Sequence, residues 1–204
     1  TPVVIGSLNL LVASLVLWHF SNYLTRPRTL NIQFTVLLII SVLAFSVAKP
    51  IVLYGEQHKY KDKIIYQEQT RYQKIVVTQW KDNFWLFING STQFSTYDEE
   101  RYHEPLVHPV MGLLKEQKDI LLLGAGDGLA AREILKYPGV ESLTLVDLDP
   151  AMTRLARQHE MFLRVNQGSL NDPRVRVHNK DAYQFMKESS DLYDAIIIDL
   201  PDPK

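Results

Sequence analysis

The chain has 204 residues, with 22 Lys or Arg against 23 Asp or Glu and a net charge of -1 at pH 7. That balance excludes a global basic field for nucleic acid or acidic lipid. The absence of cysteine excludes disulfides, thiolate catalysis and zinc–thiolate sites. The length accommodates one full domain with an appendage, and a chain stopping at Lys204 directly after a motif reads as a C-terminally truncated piece of a longer protein.

From Thr1 to Thr25 there is no Asp, Glu, Lys or Arg, and Leu10 to Phe20 is apolar apart from Ser14 and His19. A second uncharged stretch runs from Thr29 to Ala48 and contains Val36-Leu37-Leu38-Ile39-Ile40. About 20 largely apolar residues suffice to cross a bilayer as a helix. A signal peptide fits less well, because there are two such segments and no cleavage-like site between them. Two transmembrane helices are therefore expected in residues 1–48, with a buried soluble hairpin as the alternative. Lys49, Lys59, Lys61 and Lys63 after the second segment outnumber Arg26 and Arg28 in the joining loop, which puts the large polar part on the cytoplasmic side.

Residues 49–115 read as a linker, a small β-sheet domain and a connecting helix. Lys49-Pro50 is expected to end the second helix, with a polar linker from Tyr54 to Lys63. Ile64–Tyr66, Ile75–Val77 and Phe84–Ile88 are rich in β-branched and aromatic residues and are separated by turn signals at Lys81-Asp82-Asn83 and Asn89-Gly90. They predict an antiparallel sheet whose aromatics Trp80, Trp85 and Phe87 belong to the core. From Asp98 to Leu114 the pattern is helical, with Asp98 as cap and Glu99 and Glu100 in the first turn. Pro105 and Pro109 predict a kink or two short helices.

Residues 116–204 alternate strand and helix: Ile120–Leu123, Leu129–Lys136, Leu143–Val146, Ala151–Phe162, Val175–Val177, Tyr183–Glu188 and Ala195–Ile198. This predicts a Rossmann-like parallel sheet wrapped by helices, and hence an α/β fold class overall. The sheet is incomplete as given, so Ile196-Ile197-Ile198 is expected at an unpaired edge.

Ligands of such sheets sit beyond the carboxyl ends of the strands. The first strand leads into Gly124-Ala125-Gly126-Asp127-Gly128, a nucleoside-type loop. Asp127 lies where a phosphate-binding loop would carry no negative charge, so the ligand expected there is cationic. The second strand ends at Asp147-Leu148-Asp149, about 20 residues on, the spacing of a ribose-binding acid. Asp149 precedes Pro150 and reads better as the cap of the next helix. The third leads to Asp181-Ala182, near an adenine edge or capping the following helix, and the fourth ends at Asp199, with Asp202 across a proline turn. Two acids so placed repel unless a cation joins them.

With these residues in order, 64–203 resembles the spermidine synthase family of aminopropyltransferases. The matching runs are Tyr72-Gln73, Asn89 to Gln93, Asp98 to Glu104, Gly124 to Gly128, Asn171 to Val175 and Asp199 to Pro203. With the N-terminal segments, the chain resembles the membrane-attached branch. The resemblance implies transfer of an aminopropyl group from decarboxylated S-adenosylmethionine, as co-substrate and without cofactor or metal, to a polyamine such as putrescine. It implies Asp199 as proton acceptor, and Gln73, His103, Asp127 and Asp202 in contact with the aminopropyl group or polyamine. Asp147 would hold the ribose, Asp181 and Ala182 would lie beside adenine, and Gly124, Gly126 and Gly128 would form the nucleoside loop. Tyr102 reads as pocket wall or core. The implied setting is a multi-pass protein of a bacterial-type plasma membrane with lipid around it, no nucleic acid, and a homodimer as an open arrangement.

The chemistry suits acids. An amine near pKa ~10.4 facing a carboxylate near ~3.9 is mismatched by roughly 6 units, or about 9 kcal/mol, so Asp199 needs crowding by Asp202 and Asp127, or an amine acidified by the sulfonium. Positioning for in-line attack is expected to contribute more. Two departures from the family pattern stand out: Leu200 and Pro201 replace small hydroxyl residues, and Asp147 replaces Glu. The alternatives are methyl transfer from S-adenosylmethionine and a non-catalytic polyamine or nucleoside sensor. The isolated fragment is expected to be inactive. His103 and His108 are not spaced as a helical metal pair.

Overall fold

The computed structural model describes residues 2–20, 23 and 27–200, in two units, Thr1–Lys63 and Ile64–Lys204. The first unit is a pair of helices, α1 (Pro2–His19) and α2 (Pro27–Gln57), each opening on a proline. Proline suits a first helical position, where its missing N–H is lost to the helix anyway. Pro50 does not end α2. The helix runs on to Gln57, and its parts Thr35–Val47 and Pro50–Gln57 meet at 46°. A proline inside a helix removes one backbone bond and crowds the preceding turn, which bends a helix as readily as it stops one. Among the described residues no single helix is long and apolar enough to cross a membrane alone; the two bent parts of α2 pass that test together, by length and composition.

The second unit begins with four strands, β1 (Lys63–Gln69), β2 (Lys74–Trp80), β3 (Asn83–Ile88) and β4 (Ser91–Ser95), in the order β1-β2-β3-β4. β4 carries one large apolar residue, Phe94, and no strand was expected there. Its pairing with β3 follows from the turn at Asn89-Gly90. The aromatic parity is the reverse of the expectation. Phe84 and Leu86 are buried, Trp85 and Phe87 are half-buried, and Trp80 is 55% exposed. The antiparallel register pairs Trp80 with Asn83, and because side chains alternate faces, that register decides which aromatics reach the core.

α3 (Glu100–Leu113) is one helix despite Pro105 and Pro109. Both prolines are exposed, whereas His103, Val107 and Met111, spaced by four, are buried. The lost backbone bonds thus fall on the watered side, and packing of the opposite face keeps the helix continuous through both prolines. Asp98 does not cap it: its carboxylate accepts the Ser95 hydroxyl at 2.6 Å.

The parallel sheet has the order β7-β6-β5-β8, formed by β5 (Asp119–Gly124), β6 (Ser142–Asp147), β7 (Val175–Asn179) and β8 (Ala195–Asp199). Helices α4 (Leu129–Leu135), α5 (Pro150–Gln158), α6 (Glu160–Asn166) and α7 (Ala182–Glu188) connect the strands. The helix expected over Ala151–Phe162 is broken at His159, which has φ -80° and ψ 125°. The break turns Phe162 into the core, where its ring lies 5.3 Å from Phe84 and 6.1 Å from Phe94. Ile120, Leu121 and Leu122 are fully buried, each contributing about 1.5–3 kcal/mol. β8 pairs with β5 alone among the described residues, with Ile197 buried and Ile196 and Ile198 exposed, as expected of an edge.

Candidate active site

The chain lays β6 and β7 on one side of β5 and then returns to place β8 on the other. The resulting switch point, between β5 and β8, is where open α/β sheets bind ligands. Gly124 is in register with Asp199. Its φ is +86°, and a Cβ there would lie 1.9 Å from the Asp199 carbonyl oxygen. A Cβ on Gly126 would lie 2.5 Å from Asp147 Oδ2, the atom that accepts the Gly126 N–H at 3.0 Å. These two glycines therefore admit the neighbouring strand ends, which brings the acids together. Gly128 is the N-cap of α4, and its carbonyl accepts the Ser169 hydroxyl at 2.6 Å.

Asp127 is partly buried and turned onto the start of α4, with Oδ1 accepting the Leu129 N–H at 2.9 Å. Among the described residues no hydrogen bond reaches its other oxygen. Burial is the main cause that pushes its carboxyl up to about 6, with the charges of Asp199 and Asp147 adding and His103 and the Leu129 N–H opposing. Asp147 is raised in the same direction, again mainly by burial, against the N–H groups of Asp149 and Gly126. Its Oδ1 accepts the Asp149 N–H at 2.8 Å. Asp199 is partly buried, and its Oδ1 accepts the Tyr102 hydroxyl at 2.6 Å. The structure thus gathers Asp127, Asp147, Asp199, Tyr102 and His103 at one place.

The remaining expected residues are placed differently. Gln73, partly buried, lies in the β1–β2 connection, and its N–H donates to Thr70 Oγ1 at 3.0 Å. Thr70 Oγ1 in turn donates to Asp149 Oδ2 at 2.8 Å. Asp149 caps α5, as expected, through the Ala151 N–H at 3.0 Å. Asp181 is exposed and caps α7 through the Gln184 N–H at 2.9 Å, while Ala182 packs against the cluster of Leu121, Leu123 and Val146. Asp202 and Pro201 lie outside the described residues.

Sequence reasoning missed the support behind the acids. The Asn166 amide donates to the Asp127 carbonyl at 2.9 Å. Arg132 forms a two-pronged bond to Glu99, at 2.7 and 3.0 Å, and Glu99 faces His103. Arg132-Glu133 within a helix looks like a solvated charged face, and no local signal marks it as buried. Glu104, His108 and Glu133 also converge, with ligand atoms within 4.8 Å of one another. Glu133 is already balanced there by Lys136 at 2.5 Å and Arg132 at 2.8 Å.

An open parallel sheet with a glycine loop and carboxylates at its switch point defines a Rossmann-like α/β domain. Residues 99–204 match the Spermine/spermidine synthase domain, and the chain belongs to that family. It is 42% identical over 203 residues to the polyamine aminopropyltransferase of Oceanobacillus iheyensis, a match covering all of this chain and 40% of that protein. The chain thus spans about 40% of the length of such relatives. It is similar to the spermidine synthase of Thermotoga maritima, with TM-score 0.64 and 31% identity over 70% of this chain and 48% of the other. It is also similar to a spermidine synthase in complex with the transition state analogue AdoDATO, with TM-score 0.65 and 31% identity over 69% and 47% of the two chains.

Proposed function

We propose that the whole protein transfers an aminopropyl group from decarboxylated S-adenosylmethionine to a polyamine such as putrescine, releasing methylthioadenosine and forming spermidine. The observation that carries this reading is the convergence of Asp127, Asp147 and Asp199 at the β5–β8 switch point. A sulfonium donor with a free ammonium, and a diamine acceptor, need compensating negative charge when they lose water together. A methyl donor retains a carboxylate that such acids repel, and family membership disfavours that alternative as well.

In the reaction the amine nitrogen attacks the carbon beside sulfur, the C–S bond breaks, and its electron pair remains on sulfur as a neutral thioether. The attacking nitrogen loses a proton, which Asp199 accepts. The Tyr102 hydroxyl orients that carboxylate by its bond to Oδ1. Asp127 holds a cationic end of a substrate through the oxygen not spent on Leu129. Asp147, fixed by two backbone N–H groups, keeps lone pairs for ribose hydroxyls. Gln73 and Asp202 complete the amine contacts, and Asp181 with Ala182 borders the adenine.

The first unit serves as a membrane anchor, with the second unit on the cytoplasmic side. Support comes from the two uncharged apolar segments and from the exposed Val4, Ile5, Leu8, Val12, Val16, Ile39, Val42 and Leu43 on the two helices. Incubating the full-length protein with radiolabelled decarboxylated donor and a polyamine panel tests the reaction. Methylthioadenosine release that disappears in Asp199→Asn is the expected result. Binding without turnover points to a sensor, and methyl transfer from the ordinary donor overturns the proposal.

A further inference from the structure

Glu99 stands at the N-cap position of α3 yet makes no capping bond to that helix. A side chain that caps a helix start accepts one of its free backbone N–H groups. Here the carboxylate turns inward and is 4% exposed, beside His103 at 2% and Arg132 at 8%. A buried ion pair is rarely more stabilising than apolar packing of the same volume, so stability alone does not account for this arrangement.

The hydrogen bonds point to its use. His103 Nδ1 lies 2.8 Å from the Glu99 carbonyl oxygen and 3.1 Å from Glu99 Oε2. A carbonyl and a carboxylate only accept, so Nδ1 carries the hydrogen. In the neutral ring the lone pair is then on Nε2, at the far side of the imidazole. Glu99 cannot swing away. Arg132 donates to its Oε1 at 2.7 Å and its Oε2 at 3.0 Å, while Glu133 Oε1 and the Val165 carbonyl, each at 2.8 Å, hold the guanidinium in turn. The ring itself stands edge-on to Phe94 at 6.1 Å and to Tyr102 at 5.1 Å.

We propose that Glu99, clamped by Arg132, is a positioning residue that fixes His103 with its hydrogen on Nδ1 and so presents Nε2 as an acceptor to a substrate ammonium group. The opposite tautomer would aim a donor at a cation. The proposal rests on the amine-substrate reading above, and its test separates the two.

The test uses full-length protein labelled with ¹⁵N-histidine, the His103 signals being assigned by their loss in His103→Asn. The unliganded wild type is expected to show hydrogen on Nδ1, and putrescine is expected to shift the Nε2 resonance. Arg132→Lys keeps the buried positive charge but loses the two-pronged grip. Both Arg132→Lys and Glu99→Gln leave the Glu99 carbonyl to hold the Nδ1 hydrogen but loosen the ring, and are expected to weaken the putrescine-induced Nε2 shift and raise KM for the amine about tenfold, with KM for the donor changing less than twofold. Hydrogen on Nε2 in the wild type overturns the proposal without any variant having to fold. So do folded variants with an undiminished putrescine shift and unchanged amine KM. The Nδ1–H signature with a putrescine shift but no aminopropyl transfer would instead sink the catalytic reading and leave this one standing.

Discussion

The two units bury opposite things. In the first, every residue described as buried is a serine, Ser7, Ser14 and Ser41, while most of the described large apolar side chains of α1 and α2 are exposed. In the second, the buried set is Ile, Leu, Val, Phe, Met and Ala around two sheets, and its few buried charges are paired or bonded to backbone. Water drives apolar area inward, and the second unit obeys. The first unit's outward apolar side chains agree with the membrane anchor proposed above, where apolar area gains nothing by hiding and small residues let helix backbones approach. Among the described residues Ser14 and Ser41 Oγ have no hydrogen-bond partner, so the seam between the helices is packed through size and not through polarity. Overall composition averages the two patterns and shows neither.

The sharpest way to break the second unit alone is Gly124→Ala. The new methyl carbon would sit 1.9 Å from the Asp199 carbonyl oxygen, at φ +86°, so the β5–β8 pairing must yield. The expected cost exceeds about 4 kcal/mol. Limited proteolysis should show residues 64–204 degraded while the N-terminal helices remain with the membrane fraction; equal resistance of both proteins would contradict the strand contact. Asp199→Asn should leave the fold intact and reduce turnover about 10³-fold, with unchanged melting and membrane partition. A variant that loses its fold as well would show that Asp199 is structural.

The converse break is Val12→Arg in α1, at an exposed position. A water-exposed position tolerates such a change within about 0.5 kcal/mol. At the centre of a membrane helix it costs about 3 kcal/mol. Alkaline carbonate extraction of full-length protein distinguishes the two: release of the variant with retention of the wild type supports the anchor, and equal behaviour removes it.

Much of the second unit was legible because its signals are local. Alternating apolar runs and helical segments place the parallel strands, and the acids following three of them, Asp127, Asp147 and Asp199, are the ones that converge, whereas Asp181 caps a helix. What was not legible depends on partners far along the chain. β4 offers one large apolar residue and becomes a strand only by pairing with β3. The face that Trp80 and Phe84 occupy follows from strand register, which no short window contains. Pro105 and Pro109 read as breakers, yet the helix persists because their side faces water. Arg132 reads as solvated until Glu99, far off in sequence, closes on it. The glycine loop was recognised, but its first two glycines serve strand ends as much as any ligand.

Asp127 provides a smaller test within the same unit. Its carboxyl is raised to about 6 against ~3.9 in an unfolded chain, so the native state keeps the proton longer. Stability from this group is full below pH ~4 and declines as pH rises to about 6. Asp127→Asn removes that loss and is expected to stabilise the protein by about 2 kcal/mol at pH 7.5, allowing for its partial exposure, and by no more than about 0.5 kcal/mol at pH 4. A cationic ligand favours the ionised acid, so amine binding to the wild type should tighten as pH rises from 4 to 6 and then level off. Chemical denaturation at the two pH values checks the first expectation, and calorimetric titration with putrescine checks the second.

The smallest expected effect lies at Thr70, where one hydroxyl joins two parts of the site. Its Oγ1 accepts the N–H groups of Tyr72 and Gln73, both at 3.0 Å, and donates to Asp149 Oδ2 at 2.8 Å. Asp149 passes the restraint on, since its own N–H donates to Asp147 Oδ1 at 2.8 Å. The turn carrying Gln73 is thereby referenced to the acid proposed to hold the ribose. Thr70→Val keeps the shape and removes the hydroxyl. Because the turn is half-buried, water can replace part of what is lost, and the net cost should be about 1 kcal/mol. That converts to about a fivefold rise in KM, expected for donor and amine together because both contacts loosen, with kcat within twofold. Thr70→Ser should restore both values. A fall in kcat with both KM values unchanged would mean that the turn acts on the transition state and not on substrate placement.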